Sequence, residues 1–431
     1  MVIRLILMMG VFLLTLPMAA FAAGAADSQA DIEALKKRVD ELEKRVDGTE
    51  RVDERGHRLH PVHSAYGLKI GGGVTMTGQG VYGLKPGNKQ PGAAALSADI
   101  SIESPVGADG RVVGVLDLQH GAGLTNIPPL FKSPNGSPTG TNADVESFDD
   151  DQLHVTEFYY EYNADDAFVL TVGQMNLTGY FDANAYANNE RTQFLANAFV
   201  NNPAIEFGGT DNFYGPGVMV TYTPFKGVDL IAGAFDNNGD YVETFDSPFS
   251  MAELDVKTGL FGREGNYRFY YWNRQGRPAA SVADTANPND PALEKAANQG
   301  AGISLDQELT DGAGVWLRAS VQRHKVAQSD RFVSAGLNFK GVAGRSEDTI
   351  GLGYGVSFMG KDYKGYLADN QPSFRTAAEH YVEVYYDAAV AGATENTGFH
   401  AAPDFQYIVN PGGAANGAKV FVYGMRLQAF F

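Results

Sequence analysis

Between Gly173 and Pro203 the chain gathers Asp182, Asn184, Asn188, Glu190, Arg191, Gln193, Asn201 and Asn202, with Phe181, Tyr186, Phe194 and Phe199 interleaved. Carboxylates accept hydrogen bonds, a guanidinium donates them in a fixed planar fork, and side-chain amides do both. Such a set can hold a small polar solute by its hydroxyl groups. It has no nucleophile beside a base, and elsewhere Ser, His and Asp occur without the spacing of a nucleophile elbow or a metal site. The chain therefore reads as no enzyme, with no metal and no cofactor. Gly351-Leu-Gly-Tyr-Gly355 sits in a strand pattern with no helix after it, so it forms no phosphate cradle. The stretch Glu190–Asn201 places Phe194, Leu195, Ala198 and Phe199 at helical spacing. This predicts a short helix pinned by its aromatics, which leaves Asp182, Asn184, Asn188, Glu190 and Arg191 free to point at a solute.

A sorting segment needs a wall to stand against. On both sides of it the sequence alternates between apolar and polar residues, in segments of roughly ten residues, the length that a tilted strand needs to cross a bilayer. About sixteen such segments run from Tyr66–Leu84 to Lys419–Phe431, an even number as in bacterial single-chain barrels. Alternate connections are tight and rich in Gly, Asp and Asn, such as Pro105–Gly110 and Asn163–Asp166. The others are long, such as Gly121–Asp151 and Asn176–Gly215. Val390–Ala401 breaks this rhythm as an overlong turn. The last segment is the clearest. Phe421, Tyr423, Met425, Leu427, Ala429 and Phe431 share one face, and Val420, Gly424, Arg426 and Gln428 share the other. A terminal Phe on such a strand resembles the insertion signal of Gram-negative outer-membrane barrels.

The same parity assigns the inward residues of other strands. Arg268, Tyr270, Trp272 and Arg274 fall on one face. So do Ser304, Asp306 and Glu308, then Trp316, Arg318, Ser320 and Gln322, then Glu379, Tyr381, Glu383 and Tyr385, and finally Asp117 with Gln119. Arg beside Asp and Glu, with Trp and Tyr between them, is not the basic ladder of an anion pore. Aromatic faces beside planar polar groups suit sugars, although interfacial girdles also supply aromatics to every such barrel.

The amino terminus sets the compartment. Met1–Arg4 is a short basic start, Leu5–Met18 an apolar core, and Ala20-Phe-Ala22 an A-x-A cleavage site, so residues 1–22 read as a secretory signal peptide. The 431 residues include no cysteine, which excludes a lipoprotein anchor, disulfides and thiolate metal sites. No second long apolar run follows. Only helices and closed barrels can span lipid. A formal net charge of −18 argues against nucleic acid, whose phosphates demand clustered Lys and Arg. Residues 23–63 form a coiled-coil segment and linker, with Ile32, Leu35, Val39, Leu42 and Val46 at 3-4 spacing. The segment reads as an oligomerisation stalk, as a reach toward the cell wall, or as an amphipathic helix lying on the rest of the protein. Its a and d residues favour two strands, whereas porin-type barrels are usually trimers. His57, His60 and His63 lie in the linker without acidic or Cys partners. Residues 64–431 are the barrel.

At this point the residues resemble a family. Tyr180 to Pro203 looks like the signature loop of the carbohydrate-selective porins, with Tyr270-Tyr-Trp-Asn273, Gly302–Glu308, Ala402–Gly413 and the Arg426 strand similar to that OprB-like family's later elements. The resemblance implies an all-β transmembrane antiparallel barrel of about 16 strands in a Gram-negative outer membrane, with the N-terminus periplasmic. It implies passive, selective diffusion of small carbohydrates such as glucose, through a pore narrowed by an inward-folded third extracellular loop. Expected partners are outer-membrane lipid, small carbohydrates, a homotrimer and peptidoglycan at the coiled coil. The expected constriction comprises Asp182, Asn184, Asn188, Glu190, Arg191, Gln193, Asn201, Asn202, Trp272, Arg274, Asp306, Glu308, Trp316, Arg318, Glu383 and Arg426. Rival readings are a porin for iron chelates or siderophores, a general cation pore favoured by Asp149–Asp151 on an outer loop, and a structural anchor to the wall.

Overall fold

A sheet with lipid on one face and water on the other must alternate apolar and polar residues, and it must close, because an open edge would leave backbone groups unpaired in hydrocarbon. The computed structural model describes residues 63–65, 67–84, 92–121, 123–124, 127, 152–165, 167–207, 214–239, 241–242, 244–278, 295–394, 397–415, 417 and 419–430. Within them the chain meets both requirements. The sixteen barrel strands are β1 (Leu68–Tyr82), β2 (Gly92–Val106), β3 (Gly110–His120), β4 (Gln152–Asp165), β5 (Phe168–Asn176), β6 (Tyr214–Phe225), β7 (Val228–Phe235), β8 (Phe249–Thr258), β9 (Gly265–Pro278), β10 (Lys295–Thr310), β11 (Ala313–Gln322), β12 (Ser329–Lys340), β13 (Thr349–Met359), β14 (Glu379–Thr394), β15 (Thr397–Val409) and β16 (Lys419–Phe430). Each pairs antiparallel with the next. β16 returns to β1, running from Phe421↔Tyr82 to Phe430↔Gly73, and so closes the barrel. A three-residue strand, His63–Ala65, pairs with the start of β1.

Parity decides what each face meets. Along β9, Phe269 and Tyr271 are exposed on the outside, while Arg268, Tyr270, Trp272 and Arg274 are buried inside. Along β16, Phe421, Tyr423 and Met425 are exposed, and Val420, Val422, Arg426 and Gln428 are buried. The inward sets expected on β3, β11 and β14 all face inward as well, since Asp117, Trp316, Arg318, Tyr381 and Glu383 are each at most 1% exposed.

One end of the barrel carries the tight turns and the other the long connections. Val390–Ala401 is a difference from the sequence reading. It is not a long turn, because β14 and β15 run through it and pair as far as Thr394↔Thr397. Ala and Gly dominate residues 388–394, and their near-neutral hydropathy hides the alternation. The signal peptide, the coiled coil, the linker, Asp149–Asp151 and Phe431 lie outside the described residues. Among the described residues no helix is long and apolar enough to cross a membrane.

Leu352 lies on the lipid side near the middle of β13 and is 41% exposed. An Arg at the midplane of a barrel's lipid face costs about 2–4 kcal/mol. Urea unfolding of Leu352→Arg from lipid vesicles is expected to show a loss of that order, and an unchanged midpoint would place this face away from lipid.

Candidate functional site

A connection that leaves the sheet must find new partners for its backbone groups, since buried N–H and C=O groups are rarely left unpaired. The segment after β5 finds them on the inner wall. Helix α1 (Leu177–Tyr180) begins it, with Asn176 as N-cap accepting from the Thr178 N–H at 3.2 Å. Asp182 follows at φ +56°, a left-handed turn that Asp tolerates. The Asp182 N–H donates to Glu253 of β8 at 2.7 Å, and the Ser304 hydroxyl of β10 donates to the Ala183 carbonyl at 2.8 Å.

Three wall residues then clamp the segment. Arg318 of β11 donates to the carbonyls of Ala187 (2.5 Å), Phe199 (2.6 Å) and Asp182 (2.6 Å) and to the Asn188 amide oxygen (2.9 Å). Its Nε stands 3.0 Å from an Asp182 carboxylate oxygen. Glu383 of β14 accepts the N–H groups of Leu195 and Ala196, at 2.5 and 2.8 Å. Arg426 of β16 donates to the carbonyls of Glu190 and Gln193, at 2.9 and 2.7 Å. Smaller contacts finish the seam. Asn184 donates to Ser304 at 3.2 Å, and Asn202 donates to the Tyr270 hydroxyl at 2.9 Å while accepting from Ser320 at 2.6 Å. Arg274 donates to the Phe207 carbonyl at 2.7 Å.

Aromatic feet complete the attachment. Phe194 and Phe199 meet Trp316 at 5.6 and 5.7 Å between ring centroids, and Phe194 meets Tyr385 edge-on at 5.0 Å. The strand glycines make room. A Cβ on Gly353 or Gly355 would lie 3.0–3.2 Å from Phe194 or Phe199 carbons, closer than side chains normally pack. That is the physical sense of the Gly-x-Gly-x-Gly run in β13. The second foot packs Leu177, Tyr180, Phe181, Ile205 and Phe207 against the wall's Phe235, Phe249 and Trp272.

The geometry changes the expected division of labour. Asp182, Asn184 and Asn202 do not stand free in a channel: they are 3%, 4% and 1% exposed. Trp272, Arg274, Asp306, Trp316, Arg318, Glu383 and Arg426 are likewise covered. Polar side chains here serve the segment's own backbone, because no strand partner does. The expected helix over Glu190–Asn201 is reduced to one turn, α2 (Asn197–Val200), since Glu383 takes the amides at 195 and 196. Phe194, Leu195, Ala198 and Phe199 are buried, as the helical spacing suggested.

Six of the expected residues keep solvent access: Asn188, Glu190, Arg191, Gln193, Asn201 and Glu308. Arg191 reaches β2 and β3. It stands 2.5 Å from Asp99, donates to the Ser97 hydroxyl at 3.0 Å and lies 3.8 Å from Asp117, which itself accepts from Ser97 at 2.8 Å. Sequence reasoning missed Ser97, Asp99 and Glu253. The parity of β2 and β8 could have placed them inward, but nothing in it names their partner. Among the described residues no group of His, Cys, Asp and Glu could hold a metal ion.

The sequence model of the carbohydrate-selective porin, OprB family matches residues 63–431. Among solved structures, OprB of Pseudomonas putida at high pH shares 16% identity and a TM-score of 0.61, over 85% of this chain and 94% of that one. The outer-membrane channel DcaP of Acinetobacter baumannii shares 13% identity and a TM-score of 0.53, over 86% of this chain and all of that one. At such identities the likeness is one of fold. No curated protein sequence matches.

Two outcomes follow for the clamp. Arg318→Met removes the donors to the Ala187, Phe199 and Asp182 carbonyls and to Asn188, and leaves the Asp182 carboxyl buried without its cation, a loss of about 3–5 kcal/mol. Hydrogen exchange at Leu195 and Ala196 is expected to accelerate strongly, and unchanged protection would remove Arg318 as the anchor. Burial pushes the Asp182 carboxyl up to about 6, with Arg318 opposing it. A raised carboxyl pKa penalises the folded state above pH 6, and the penalty lifts as pH falls from 6 toward the unfolded value. Intrinsically corrected exchange in the segment should therefore slow between pH 7 and pH 5, and Asp182→Asn should abolish that difference.

Proposed function

Since the chain belongs to the carbohydrate-selective porin, OprB family, and is thereby an outer-membrane channel of a Gram-negative cell rather than an enzyme, we propose that its 177–207 segment narrows the bore and selects small neutral sugars there. The observation that carries this reading is the bridge from Arg191 to Ser97 and Asp99. Arg318, Glu383 and Arg426 hold the segment to β11, β14 and β16, and Arg191 ties it to β2 and β3. Side chains of the segment with solvent access include Arg191, Asn188, Gln193 and the acceptor Glu190. Arg191 offsets part of the carboxylate charge around it, and the planar edges of these groups bond hydroxyls. Tyr186, half-buried with its ring over Gly314, offers an aromatic face for the C–H side of a sugar. Trp272 and Trp316 are buried and do not.

The long connections face outward in this reading, and the amino terminus lies in the periplasm after removal of residues 1–22. The coiled coil joins copies into a trimer or touches peptidoglycan. A second reading is a general cation pore, favoured by Asp99, Asp117 and Glu190 around the single charge of Arg191.

Planar-bilayer recording separates these readings. Glucose and small oligosaccharides are expected to block single-channel current, and Glu190→Gln with Arg191→Gln should weaken that block about tenfold, or ~1.4 kcal/mol. Block by iron chelates alone would support chelate uptake. A strongly cation-selective reversal potential without sugar block would support the cation pore, and the lack of any channel would support the wall anchor.

A further inference from the structure

The outer wall carries one feature that the channel does not use. Arg331 of β12 faces outward, since its neighbour Phe332 is fully buried on the inside while Val333, Leu337 and Phe339 are exposed in line with it. It sits at the long-connection end of the strand, paired in register with Phe358 of β13. Its guanidinium carbon lies 5.2 Å from the centre of the Phe358 ring, and its Nε donates to Asp330 at 3.1 Å. The two terminal nitrogens remain at the edge of a side chain that is 54% exposed. A ring beneath a guanidinium fixes its plane and leaves the fork pointing sideways.

More positive charge gathers beside it. Gly360 donates its N–H to the Gln328 carbonyl at 2.7 Å, and a Cβ built on it would lie 3.6 Å from that of Asp330. Helix α3 (Lys361–Asn370) starts from this point and carries Lys361 and Lys364, both exposed. Lys325, also exposed, stands in the turn before β12, where His324 Nδ1 lies 3.1 Å from an Asp362 carboxylate oxygen of α3. Among the described residues no carboxylate pairs with Lys325, Lys361 or Lys364. Among the acids of the patch, Asp330 pairs with Arg331, while Asp362 and Asp369 of α3 are exposed. In a chain of net charge −18 this concentration is against the overall balance. Directly below it on the outer wall lie exposed Val333, Leu352 and Tyr354.

Cations above, hydrocarbon-facing side chains below and a guanidinium fork between them match one partner. We propose that the long-connection rim of β12 and β13 docks a lipid whose headgroup carries phosphate. Arg331 takes a phosphate through its paired terminal nitrogens. Lys361, Lys364 and Lys325 supply the surrounding field, and the acyl chains lie over Val333, Leu352 and Tyr354. The choice of outer leaflet for this lipid rests on the long connections facing outward, and the docking itself does not depend on what the channel carries.

The test uses the full-length barrel in detergent micelles and a diphosphorylated, multiply acylated glucosamine disaccharide as probe, with retention read by native mass spectrometry. Wild type is expected to retain the probe. Arg331→Gln with Lys361→Gln and Lys364→Gln should lose retention about tenfold, whereas Lys340→Gln with Arg345→Gln at the opposite rim should not. Arg331→Lys, which keeps the charge and loses the fork, should fall between them. The monophosphorylated probe should bind more weakly than the diphosphorylated one, and millimolar inorganic phosphate should not displace either. Equal retention by wild type and the triple variant overturns the proposal. So does equal loss in the opposite-rim control, which would make the effect one of net charge, or displacement by inorganic phosphate, which would make it an anion site. Sugar block and conductance, measured on the same variants, are expected to stay at the wild-type level, so this proposal and the channel reading stand or fall separately.

Discussion

Arg318 is the contact on which the interior depends. Its side chain is fully buried, its terminal nitrogens donate to three backbone carbonyls and an amide oxygen, and its charge is paired with the Asp182 carboxylate, all in one segment. A guanidinium sealed away from water is tolerable only when its charge is paired and its N–H groups are engaged. The segment is ordered against the wall for the complementary reason. Without Arg318, Glu383 and Arg426, its carbonyls and amides would have neither strand nor solvent to bond. Each side supplies what the other lacks, so the bonds of the docked arrangement reinforce one another.

The barrel was legible because a strand between lipid and water writes its two faces into alternate residues. All sixteen segments form strands, and the inward sets on β3, β9, β11 and β14 were identified from parity alone. Parity tells which face a residue takes, not what covers that face. Arg274, Arg318 and Arg426 pointed inward as expected, yet they lie under the 177–207 segment rather than beside water. Asp182, Asn184 and Asn202 belong to the same class, since a polar residue in a loop reads alike whether it bonds a solute or a neighbouring strand. The stretch Val390–Ala401 was illegible for a different reason, being built from Ala and Gly, whose hydropathy barely distinguishes the two faces. Arg191 kept solvent access, but Ser97 and Asp99 were invisible as its partners, because nothing local links residues so far apart in the chain.

Glycine and aromatic residues divide the inner wall between them. Gly353 and Gly355 leave hollows that Phe194 and Phe199 occupy, and Gly314 lies under the ring of Tyr186. The wall is thus shaped by removing side chains at chosen inward positions. This lets a short segment with only two single-turn helices take a fixed position against a curved sheet.

The ladder that joins β16 to β1 has a temporal meaning. The barrel closes only when the last strand of the chain reaches the first. The clamp that fastens the inner segment includes a bond from Arg426 to Glu190, across 236 residues of sequence. Contacts of such separation carry a large loop-closure cost and form late. The stretch from 177 to 207 therefore emerges long before most of the wall it rests on. Its anchorage to β11, β14 and β16 is complete only when those strands arrive, so closure of the cylinder and full seating of the inner segment become a single event.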